Sequence, residues 1–93
     1  MVVLWPHNDI SMNILDFLDN KNLRFVRVID ASSRKLGLCP KAGVSPVAGP
    51  IVIQNLPDGT AIFLCSPAYN ESIEKFILSS GLSSKFFLKK LDF

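Results

Sequence analysis

Apolar residues along the chain come in short blocks, none near the ~20 residues a membrane-spanning helix needs. Met1–Trp5 is apolar throughout and stops at Pro6, which suits a buried strand and is too short for a helix. Asn8 or Asp9 can cap the helix that follows. In it Ile10, Ile14, Phe17 and Leu18 recur at helical spacing, while Asn13, Asp16 and Asp19 flank that stripe or face away. Asn20-Lys21-Asn22 supplies turn chemistry. Leu23–Asp30 is rich in β-favouring residues and mostly apolar on both faces, the pattern of a strand covered on both sides. Ala31–Leu38 predicts a short helix that Gly37 and Pro40 end early, and residues 40–50 read as a proline-rich loop.

Ile51–Asn55 and Thr60–Cys65 are apolar runs on either side of Leu56-Pro57-Asp58-Gly59, where proline presets φ and glycine takes the left-handed position. Together they predict a β-hairpin. Ser66-Pro67 opens a helix, with Asn70 as a rival cap one turn later. Tyr69, Ile73, Phe76 and Ile77 share its apolar face, against Glu71, Glu74 and Lys75, and Gly81 ends it. The order is β-α-β, a short helix, a β-hairpin and a final helix. It predicts an α/β domain over residues 1–81, with a four-stranded mixed sheet and helices on both faces. Residues 82–93 form an apolar, basic tail.

Composition adds bounds. The chain has 93 residues, 48% hydrophobic and 19% charged, which allows one compact domain and excludes wholesale disorder. A net charge of +2 gives no argument for a nucleic-acid partner, and Arg24 and Arg27, three apart, point to opposite faces of a regular strand. Two cysteines, Cys39 and Cys65, are fewer than a disulfide-stapled secreted domain of this size carries. The leading apolar run is too short for a signal peptide. A cytoplasmic or other reducing compartment is therefore expected, and the Asn70-Glu71-Ser72 glycosylation pattern is read as chance.

This element order resembles the thioredoxin-like fold in its compact, glutaredoxin-sized form. The most specific local match is Val44-Ser45-Pro46-Val47-Ala48-Gly49-Pro50-Ile51-Val52-Ile53, where the family has a loop ending in a cis-proline before its third strand. The resemblance implies a cis bond at Pro50, with Gly49 and Pro50 exposing backbone to an extended partner. The redox motif of the family is missing. Trp5-Pro6-His7-Asn8-Asp9-Ile10-Ser11-Met12 holds no cysteine, and a thiolate at a helix N-terminus is the nucleophile that chemistry needs. Leu64-Cys65-Ser66-Pro67-Ala68 also lacks the glycine pair that holds glutathione, so neither glutathione nor another cofactor is expected.

The reading is thus a non-catalytic interaction or structural module that binds a protein partner through the Pro50 loop, the sheet edge and the tail. The tail residues Phe86, Phe87, Leu88, Leu91 and Phe93 either fold back on the domain or dock on that partner. The alternative is an atypical thiol-disulfide oxidoreductase using Cys39 or Cys65. His7, with Asn8, Asp9 and Ser11, sits too tightly on one turn to form a catalytic triad or a metal site and reads as a capped, solvated loop.

Overall fold

The computed structural model describes residues 1–18 and 20–91, with residues 20–22 described by backbone alone. Asp19 and Phe93, both singled out above, lie outside the described residues. Four strands form one sheet: β1 (Val2–Trp5), β2 (Val26–Val28), β3 (Ala61–Leu64) and β4 (Phe87–Lys90), in spatial order β2-β1-β3-β4. All three pairings are parallel, with Val3 opposite Arg27 and Ile62, and Ile62 opposite Leu88. The α/β class holds, and the mixed sheet does not.

The source of the difference is the predicted hairpin. Ile51–Asn55 is not a strand: Pro50–Asn55 forms a 3-10 helix with proline in its first turn. Ile53 and Leu56, three apart, turn inward from it, while Ile51 is 72% exposed. The Pro57-Asp58-Gly59 turn forms as expected, with Gly59 at φ 83°, but it joins that helix to β3. A parallel β3 needs a crossover from β2, and this segment ends it.

Helix α1 (Asp9–Phe17) covers one face of the sheet and helix α2 (Asn70–Ser79) the other. Leu15 packs with Leu4, Val26, Val28 and Cys65, whereas Ile73 and Ile77 pack with Val3, Trp5, Ile29, Ile62 and Leu64. The inward stripe of α1 is one position off the expected one. Ser11 and Leu15 are buried, Ile10 and Ile14 are half-buried, and Phe17 is 90% exposed. Ser11 can sit inside because a capping box satisfies it. Its N–H donates to Asn8 Oδ1 at 2.9 Å, and its Oγ accepts from the Asn8 N–H at 2.9 Å. Of the expected α2 stripe Ile73 and Ile77 are buried while Tyr69 and Phe76 are exposed, and the helix starts at Asn70 with Tyr69, neither Ser66 nor Asn70, at its cap position.

Other expectations are corrected at the ends of elements. Leu23–Asp30 divides into a 3-10 helix (Asn20–Phe25), the three residues of β2, and an isolated bridge from Ile29 to Ala48 that covers the outer edge of β2. Ala31–Leu38 forms turns, not a helix. The tail enters the sheet. After a 3-10 turn (Ser83–Lys85), Phe86 is buried, Phe87 is 71% exposed, and Leu88 and Leu91 are half-buried against the two core clusters. The cis peptide among the described residues is Trp5–Pro6; the Gly49–Pro50 bond, expected to be cis, is not. No helix among the described residues is long and apolar enough to cross a membrane.

Candidate functional site

From β1 the chain runs outward to β2 on one side, and from β3 it runs outward to β4 on the other. The loops that follow β1 and β3 therefore diverge at the carboxyl end of the sheet. In open parallel sheets this divergence leaves a crevice. A cleft of about 670 Å³ lies there. Trp5, Pro6, His7 and Asn8 enter from the end of β1, Asp30, Ser32 and Lys35 from the loop after β2, and Ser66 from the end of β3. Tyr69, Ser72, Ile73 and Phe76 of α2 and its approach form the far wall.

Three side chains tie the strand ends together. Asp30 is buried and accepts two backbone N–H groups, from His7 to Oδ2 at 2.9 Å and from Ser32 to Oδ1 at 2.7 Å. It joins the β1 loop to the β2 loop. Asn8 Nδ2 donates to the Cys65 carbonyl at 3.0 Å, joining β1 to β3. Asn70 is buried, accepts the Ser66 N–H on Oδ1 at 2.9 Å, and donates to the Leu91 carbonyl at 3.3 Å, joining β3 to the end of β4. Buried backbone polar groups need such partners, and here side chains supply them across strands.

The lining of the cleft is mostly apolar. Trp5 and Phe76 meet edge to face, with ring centroids 5.9 Å apart, and Ile73 and Pro50 also line the cleft. Its polar groups include Lys35, whose Nζ is 3.3 Å from His7 Nδ1. With the ammonium donating, Nδ1 accepts and the ring proton sits on Nε2.

The residues singled out in the sequence scatter around this site. Pro50 lines the cleft, and Gly49 stands just outside as the cap of the 3-10 helix. His7 and Asn8 line it too, Asn8 as the helix cap read from the sequence. Phe86, Phe87, Leu88 and Leu91 lie elsewhere, on or beside β4. Both cysteines are free thiols, and neither lines the cleft. Asp30, Lys35 and Ser66 were missed as site residues. The available signal was position, since each follows closely on an apolar strand-like run, and ligand-binding residues collect at that end of parallel strands.

Burial pushes the Cys65 thiol up from 9.0 to about 11, against a smaller lowering by its contact with the Trp5 backbone. At neutral pH it is a protonated core residue and a poor nucleophile. The shift has a consequence at high pH. An unfolded thiol ionises near 9.0 and the folded one near 11, so stability is intact below pH 9 and falls as pH rises through about 11. The fall assignable to Cys65 is on the order of 2 kcal/mol. Denaturant unfolding of wild type and Cys65→Ala between these pH values checks it, and parallel curves for the two proteins would refute it.

Comparison with family models, with curated proteins and with solved structures finds no match for this chain. The geometry above therefore carries the functional argument alone.

Proposed function

We propose that this domain binds a small molecule in the cleft at the carboxyl ends of β1 and β3. The observation that carries the reading is the cleft itself, about 670 Å³, at the point where the chain leaves the sheet in opposite directions. Its volume falls within the range of small-ligand sites, and a mostly apolar lining with a few polar groups is their usual make-up. The test is an amide NMR titration of the full chain with a chemically diverse fragment set. Shifts should collect on Trp5, His7, Ser66 and Ile73, and Ser72→Trp, which fills the cleft, should abolish them. Hits that gather elsewhere, or survive Ser72→Trp, would overturn the reading.

A second reading, a module that binds a protein partner, is favoured by one observation. On the α1 side of the sheet Phe87 of β4 is 71% exposed, and the outer edge of β4 has no neighbouring strand among the described residues. An exposed strand edge can accept another chain, although Lys89 and Lys90 discourage indiscriminate pairing. Phe87→Ser separates the two readings, since it removes partner binding and leaves fragment binding in the cleft unchanged. Thiol chemistry has less support, because Cys65 is buried with a raised pKa and Cys39 lies outside the cleft.

A further inference from the structure

The polar groups of the cleft differ in what they still have to offer. Both oxygens of Asp30 are engaged by the His7 and Ser32 N–H groups. Asn8 Oδ1 accepts the Ser11 N–H, and Asn8 Nδ2 is spent on the Cys65 carbonyl. These acceptors are thus held by backbone groups, and Asp30 is buried besides. The charged donor is not so held. Ion pairs among the described residues engage Lys41, Lys75, Lys85 and Lys90, and none engages Lys35. Its ammonium has His7 Nδ1 as partner and two further N–H donors. With the ring proton on Nε2, His7 presents another donor.

A site whose unspent charged group is a donor selects a ligand that brings a charged acceptor. Charge-assisted hydrogen bonds are about twice as strong as neutral ones. Phe76, 45% exposed and backed by the edge-on Trp5, supplies apolar surface in the same cleft with Ile73 and suits a hydrocarbon body. We infer that the ligand is a small aromatic carboxylic acid, its carboxylate on Lys35 and its ring against Phe76. This rests on the cleft being the ligand site.

Trp5 is the chain's single tryptophan and lines the cleft, so its indole N–H resonance reports occupancy directly. The full chain is titrated with naphthalene-2-carboxylate, the isosteric naphthalene-2-carboxamide and 2-naphthylmethylamine. The acid should bind about tenfold tighter than the amide, the gain of setting an opposite charge rather than a neutral carbonyl on the ammonium. Lys35→Met should bring the acid down to the affinity of the amide while the Trp5 resonance still responds, and Lys35→Arg should keep the preference. Equal binding of acid and amide, tightest binding of the amine, or a preference that survives Lys35→Met would overturn the inference and leave the cleft reading standing. If none of the three probes moves the Trp5 resonance at millimolar concentration, the cleft reading fails and takes the inference with it.

Discussion

Asp30→Ala is expected to lower the stability of the domain by about 3 kcal/mol, from the loss of two charge-assisted hydrogen bonds to backbone N–H groups. For a domain of this size that corresponds to a drop of roughly 15 °C in the melting midpoint. Asp30 is 8% exposed, so water replaces its oxygens poorly at the His7 and Ser32 N–H groups. The two loops it joins follow neighbouring strands, and once released they no longer hold Lys35 against His7. Asp30→Asn keeps one acceptor and turns an amide NH₂ toward the other N–H, and should fall between wild type and alanine. Thermal unfolding followed by circular dichroism measures the series. A loss under about 1 kcal/mol in Asp30→Ala would show that Asp30 is a bystander and not the tie between β1 and β2.

That tie was invisible in the sequence because Asp30 and His7 are 23 positions apart, and only their strand pairing brings them together. Local features were legible. Asn8 and Ser11 sit three apart, and the capping box they form needs nothing beyond that spacing. Gly59 and Gly81 stand where turn chemistry put them, both at positive φ. Strand direction was not legible. Ala61–Leu64 is apolar at every position, so it fits a parallel central strand as well as a hairpin arm. The same ambiguity affects Ile51–Asn55, since three apolar residues followed by Gln54 and Asn55 cannot separate a strand from one helical turn. Proline at its head was the better guide.

The tail shows the opposite case, a segment whose composition fits folding back or docking equally and whose burial decides between them. Phe86 is buried, Phe87 exposed and Leu88 half-buried, the period of two that a strand imposes. Its entry into the sheet as β4 also places Lys90 within 3.4 Å of Glu74 on α2. Once all strands run the same way, their carboxyl ends gather at one edge, and residues scattered from His7 to Phe76 become neighbours there. The candidate site is thus a product of strand direction, which is why the error about the hairpin hid both together.

Asn8→Ala tests the other tie of that edge and should cost about 2–3 kcal/mol, the sum of a lost helix cap and an orphaned carbonyl. The side chain has two jobs that substitutions can separate. Its Oδ1 caps α1 through the Ser11 N–H, and its Nδ2 reaches the Cys65 carbonyl across the β1–β3 divide. Asn8→Ser retains a cap but is too short to reach β3, so it should lose roughly 1–2 kcal/mol, the penalty for the unpaired carbonyl alone. Asn8→Asp keeps the cap, gains from the helix dipole, and sets an oxygen against the Cys65 carbonyl, so it too loses the cross-strand tie. Hydrogen exchange resolves where each loss falls. The Cys65 N–H, bonded to the Trp5 carbonyl at 2.7 Å, should exchange faster in all three variants, because the end of the β1–β3 ladder loosens. The Ser11 N–H should exchange faster only in Asn8→Ala. Wild-type protection at Cys65 in Asn8→Asp would mean that the ladder closes without the asparagine, and that the floor of the cleft owes its shape to packing of Trp5 and Leu64 alone.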